Sequence, residues 1–155
     1  MTVLFNSNSL SVNIPMIQFS PYLFFTGNCR EALTFYHGCL GGELSLQRYG
    51  DSPAAAHLPA EAQDHIMHGT LTTAGFTIMA ADAGRPGGSL TVGNNVRMSL
   101  HFDSEAEIEA IFAQLSAGGH IIDPLADMVW GGKFGTLTDR FGINWLLNLQ
   151  RAAGA

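Results

Sequence analysis

"GNCREALTFYHGCLGGEL", residues 27–44, carries an amphipathic helix together with its own start and stop signals. Asn28 with Glu31 makes a capping-box-like start, and Ala32, Leu33, Phe35, Tyr36, Cys39 and Leu40 recur at helical spacing until Gly41-Gly42 ends the pattern. Before it, "FSPYLFF" (19–25) is rich in aromatics and reads as a strand, turned at Thr26-Gly27. After it, strands are expected at 43–49, 65–73 and 76–81, the last two joined by a hairpin turn at Ala74-Gly75. A Pro/Ala-rich loop over 50–64 separates the first two.

Beyond a Gly-rich loop from Asp82 to Asn95 the same order returns. "VRMSLHF" (96–102) reads as a strand and Ser104 with Glu107 is a second capping box. Ile108, Ile111, Phe112 and Leu115 form a helical stripe that ends at Gly118-Gly119. The two helix starts, Asn28 and Ser104, lie 76 residues apart. Further strands are expected near 120–122, 127–130, 134–138 and 143–149. The economical reading is one α+β domain over 17–150 built from two β-α-β-β-β modules, about 17–82 and 95–150. Chance similarity of two amphipathic helices with common capping devices is the competing account. Residues 1–16 lack periodicity and are expected to form a flexible N-terminal extension, with 151–155 as a tail.

With 46% hydrophobic residues, 13 acidic against 7 basic side chains and a formal charge of −6, the composition is that of a mildly acidic globular protein. No cluster of Lys or Arg exists to neutralise phosphates, so neither nucleic acid nor an anionic membrane is expected as a partner. The first basic residue is Arg30, and no apolar run approaches the roughly 18 residues of a membrane span, so no signal or anchor is read. A cytoplasmic protein with Cys29 and Cys39 as free thiols is expected. The two cysteines stand ten apart on one helix, beyond disulfide reach.

The paired modules, with residues 27–44 after the first strand and "WGGKFGTLTDRFGINWLLNL" (130–149) at the end, resemble the vicinal oxygen chelate superfamily. This is the glyoxalase, bleomycin-resistance and extradiol dioxygenase group, and within it the chain looks most like the PhnB-like branch. The resemblance covers about residues 17–150. It implies a glyoxalase-like half-barrel with a central cup, commonly completed in a homodimer, that holds a divalent metal and a small substrate. Counting from the matched turns puts the relatives' metal-ligand positions at Pro21, Met79, Arg97 and Leu146. None of the four supplies the usual His, Gln or Glu donor, so no cofactor is expected at the usual positions. A divalent metal held by displaced ligands, His68, Asp82 and His101, is the alternative.

Period-two alternation describes the cup independently. Arg97, Ser99 and His101 share one face of their strand, while Val96, Met98, Leu100 and Phe102 share the other. In the last strand Asn144 and Asn148 flank Leu146, opposite Ile143, Trp145, Leu147 and Leu149. The apolar faces are expected beneath the helices and the mixed faces toward the cup. Arg97 reads as a bidentate clamp for a carboxylate or phosphate, or else as an internal ion pair or dimer contact. His101 and His68 are the candidate proton-transfer groups, against the alternative of hydrogen-bonded structural histidines. His65 points away from His68's face if that strand is regular. "VWGGKFG" (129–135) reads either as a lid placing Trp130, Lys133 and Phe134 over a ligand or as a plain Gly-rich connection. Met79 and Met98 are expected in the core, and Glu105, Glu107 and Glu109 on a solvated helix face.

The resulting expectation is a cup that binds a small anionic metabolite through Arg97, Ser99, Asn144, Asn148, Trp130, Lys133 and Phe134. Two alternatives stand beside it: a divalent-metal-dependent lyase, isomerase or dioxygenase with displaced ligands, and a non-catalytic sequestering protein like the bleomycin-resistance members. No Gly-rich nucleotide loop lies between an early strand and a helix, so a methyltransferase is not expected. No Gly-x-Ser-x-Gly elbow or P-loop is present either.

Overall fold

Helix α1 (Cys29–Leu40) forms where the apolar spacing predicts it and buries Cys29, Ala32, Leu33 and Tyr36. The computed structural model describes residues 16–83 and 89–151. Apart from exposed Met16, the expected extension therefore lies outside the described residues, as does the tail beyond Arg151. Around α1 stand β1 (Tyr22–Phe25), β2 (Glu43–Arg48), β3 (Ile66–Thr72) and β4 (Thr77–Asp82). They form one sheet in the order β1-β4-β3-β2, with β1 parallel to β4 and the other pairs antiparallel.

The second module repeats the plan with β5 (Met98–Phe102), β6 (His120–Asp127), β7 (Lys133–Thr138) and β8 (Asn144–Leu149), in the order β5-β8-β7-β6 and with the same senses. Its helix, Glu105–Ser116, buries Ile108, Phe112 and Leu115. Tyr22 to Met98 and Cys29 to Glu105 are each 76 residues apart, so the offset read from the helix signals is the offset of the modules.

Several local expectations change. Asn28 makes no side-chain cap bond; the Asp82 carboxylate caps α1 instead, accepting from the N–H groups of Gly27 (2.8 Å) and Cys29 (3.0 Å) with one oxygen and from Ile66 (2.8 Å) with the other. A buried carboxylate at the end of β4 thus satisfies orphan donors at the positive end of a helix. At the second helix Ser104 does cap, accepting from the Glu107 N–H at 3.4 Å. The expected loop at 50–64 contains two 3₁₀ turns (Tyr49–Asp51 and Pro53–His57) and a short helix, α2 (Ala60–Gln63); the helix Glu105–Ser116 is accordingly α3. The strands expected at 120–122 and 127–130 are one strand, β6, and residues 128–132 form the turn after it. Pro124 lies within β6, which is at a sheet edge where a missing N–H is tolerated, and the register shifts on either side of Asp123 absorb the irregularity.

One core joins the modules. Leu33, Ile66, Leu71 and Ile78 from the first and Ile108, Leu137, Trp145 and Leu147 from the second are all buried in a single cluster. Tyr36 of α1 packs edge-on against Trp145 of β8, ring centroids 5.4 Å apart. Beneath that contact the buried Asp139 accepts hydrogen bonds from the Tyr36 hydroxyl, from Trp145 Nε1 (2.9 Å) and from the N–H groups of Phe141 (2.8 Å) and Ile143 (3.0 Å). The turn carboxylate before β8 is therefore also the polar tie between modules.

Candidate functional site

Each module leaves its first strand at a sheet edge: β1 pairs with β4 alone and β5 with β8 alone among the described strands. Between these edges lies a cavity of about 970 Å³, at the upper end of the ~300–1,000 Å³ usual for ligand sites. The two strands contribute different chemistry. Tyr22 and Phe24 project from β1, their rings 5.1 Å apart, whereas Ser99 and His101 line the cavity from β5 and Arg97 from the residues leading into it.

Arg97 is exposed on this wall and makes no ion pair with any described residue. It is the one charged side chain among the described lining residues, since no Asp, Glu or Lys contributes to the wall. Ser99 Oγ and His101 Nε2 lie 3.2 Å apart. Asn144 also lines the cavity, yet its amide is engaged: Oδ1 accepts from Thr138 Oγ1 (2.7 Å) and Nδ2 donates to the Gly93 carbonyl (3.1 Å). It thereby ties the segment 90–93, which forms part of the wall, to β8.

The remaining expected site residues fall elsewhere. His68 stands behind the wall, its Nδ1 3.1 Å from the Tyr22 hydroxyl. The register His101, Asn148, Phe134 across β5, β8 and β7 puts Asn148 and Phe134 on the same sheet face as His101 but outside the cavity. Trp130 is 66% exposed in the β6–β7 turn and away from the wall. Lys133 faces α3, not the cup: its amine pairs with Glu109 (2.8 Å) and Glu105 (2.9 Å). Those two hydrogen bonds, Glu109 first, raise the Lys133 pKa, and the Lys133 and Arg151 contacts lower that of Glu105. Consecutive residues of a strand point to opposite faces, so Lys133 and Phe134 cannot both cover one ligand. Glu105 and Glu109 are likewise paired and not merely solvated.

The displaced metal set does not assemble. Asp82 spends both oxygens on backbone N–H groups and His68 faces Tyr22. Among the described residues no three His, Cys, Asp or Glu side chains converge, and the residues outside them include none of these four types. At the positions the resemblance assigns to ligands, Pro21 and Arg97 line the cavity, while Met79 registers with Tyr22 and Leu146 with Ser99. A divalent metal needs oxygen or imidazole donors, and this donor set does not fit one. The thiols offer no nucleophile, because burial and the Asp82 carboxylate push Cys29 up to about 12 and burial raises Cys39.

Tyr22, Phe24, Phe76 and the 90–93 segment are wall residues that sequence reading did not single out. Alternation applied to β1 would have placed Tyr22 and Phe24 together, opposite Leu23 and Phe25. The contribution of residues 90–93 has no local sequence signal.

Residues 18–147 match the family model of the Glyoxalase/Bleomycin resistance protein/Dioxygenase superfamily. The chain is 33% identical to Protein YjdN of Escherichia coli K12 over 143 residues, covering 85% of this chain and 95% of that protein. Among solved structures it is similar to protein PA1353 from Pseudomonas aeruginosa, at 40% identity and TM-score 0.79, covering 88% of this chain and all of that one. The PhnB protein from Bacillus cereus superposes with TM-score 0.71 at 26% identity, covering 86% of this chain and all of that one.

Proposed function

Because the chain belongs to the glyoxalase/bleomycin resistance protein/dioxygenase superfamily, we propose that it is a PhnB-like member that binds a small anionic metabolite in the cavity between β1 and β5. The observation that carries this reading is Arg97. A chain of net charge −6 presents one formal charge on the described cavity wall, and that charge is positive, has no ion-pair partner among the described residues and shares the wall with Ser99 and His101. A guanidinium so placed matches a carboxylate or phosphate bidentately. Binding without turnover is the primary reading, since the donor set does not support the superfamily's metal chemistry. A proton-transfer role for His101 is the second, favoured by its place on the wall; His68 would act only through Tyr22.

Thermal-shift titration with small carboxylates and their uncharged amides tests the proposal. The acids are expected to raise the melting temperature and the amides to leave it unchanged, with the acid response lost in Arg97→Gln. Because Arg97 is exposed and makes no ion pair with a described residue, that variant should melt with the parent when no ligand is added. Equal responses to acid and amide would remove the anionic site.

A further inference from the structure

The anion reading leaves the body of the ligand open, and the opposite strand supplies it. Five of the twenty-two described lining residues are aromatic, namely Phe19, Tyr22, Phe24, Phe76 and Trp145, against 10% aromatic residues in the whole chain. Phe19 and Phe24 are 94% and 51% exposed, a poor position for large apolar rings that no ligand ever covers. Tyr22 and Phe24 stand next to one another at 5.1 Å, tilted by 33°, and Tyr22 is oriented from behind by His68. Such a pair offers ring faces and edges against which a third ring stacks offset or edge-on.

The polar side limits the charge. One guanidinium suits one carboxylate, and among the described residues no second Arg or Lys lines the cavity to balance a diphosphate or a second acid group. At the start of α1, a usual phosphate cradle, the Asp82 carboxylate already accepts from the Gly27 and Cys29 N–H groups and so places a negative charge there. We infer that the site selects aromatic monocarboxylates, with the acid at Arg97, Ser99 and His101 and the ring system against Tyr22 and Phe24. This rests on the anion reading above and narrows its ligand class.

Calorimetric titration with 1-naphthoate, octanoate and 1-naphthamide tests it on the full chain, on Arg97→Gln and on Phe24→Ala. Both substituted side chains are exposed, so the variants are expected to fold. In the parent protein 1-naphthoate should bind at least about tenfold tighter than octanoate, consistent with ring contacts adding to area burial. Phe24→Ala should erase that preference while sparing octanoate, and Arg97→Gln should reduce both acids to the level of the amide. Octanoate binding as tightly as 1-naphthoate overturns the aromatic class and leaves the anion site standing. If neither acid binds, both readings fall. If neither acid binds and light scattering shows an assembly that Phe24→Ala dissolves, the rings belong to a contact between copies, which also overturns the assignment.

Discussion

Asp139 accepts four hydrogen bonds while only 3% exposed, and its donors come from α1, from β8 and from its own turn. Asp139→Asn keeps the shape but turns an amide N–H₂ toward a hydroxyl or indole donor, leaving buried groups unpaired. Urea denaturation should show a loss of about 3 kcal/mol or more, and Tyr36→Phe, which removes a single donor, about 1–2 kcal/mol. Equal small losses would mean that the tie between modules is not energetic. The same neighbourhood sets the alkaline limit. Burial, with the Asp139 charge second, raises the Tyr36 hydroxyl above its ordinary value, and Cys29 is pushed up to about 12. Both groups stay protonated in the folded chain where the unfolded chain ionises, near 9 for the thiol and 10 for the phenol. Their contribution is therefore complete below about pH 9 and lost as pH rises toward the folded values. Urea midpoints measured from pH 8 to 11 should fall, less steeply in Tyr36→Phe; a flat profile would contradict this. In the sequence Asp139 announces a turn, which it makes, but its reach to Tyr36, 103 residues away, has no local signature.

At the scale of elements, glycine marks where strand and helix approach most closely. A Cβ on Gly69 of β3 would run into Leu33 of α1 and Leu46 of β2, and one on Gly135 of β7 would meet Phe112 of α3 at 2.7 Å. Gly69→Ala should cost about 1–3 kcal/mol in denaturant titration, the usual penalty of overpacking, with little change in the denaturant slope. An unchanged midpoint would mean that Leu33 and Leu46 have room to move. Asn144 joins a different pair of elements. Asn144→Ala should raise amide hydrogen exchange in residues 89–97 well above the change elsewhere, because Gly93 then loses its bond to β8; protection unchanged in that segment would show that other contacts hold it. Both long helices were legible because apolar spacing and a glycine stop agree; the cap signal held at Ser104 and failed at Asn28. The two strands expected at 120–122 and 127–130 are the single β6, which accommodates Pro124 because it lies at a sheet edge.

The whole molecule sets two modules side by side so that an aromatic strand and a polar strand share one cavity. The homodimer implied by the family resemblance is a proposal for the whole molecule, and Ile121, Ile122, Val129 and Trp130 are exposed apolar residues that such a contact could cover. Light scattering is expected to give twice the 16.6 kDa chain mass, and a value near 16.6 kDa would reject the dimer. By itself the sequence determined the two-module plan, the 76-residue offset and the face on which Ser99, His101 and Leu146 lie, because periodicity and capping are local and repeat with the backbone. Tertiary structure alone decided that Lys133 pairs beneath α3, that Asp82 caps a helix instead of meeting a metal, and that Tyr22 and Phe24 share a cavity with Arg97. Those outcomes depend on which distant strands and helices become neighbours, and alternation tells a residue's face without telling what stands opposite it.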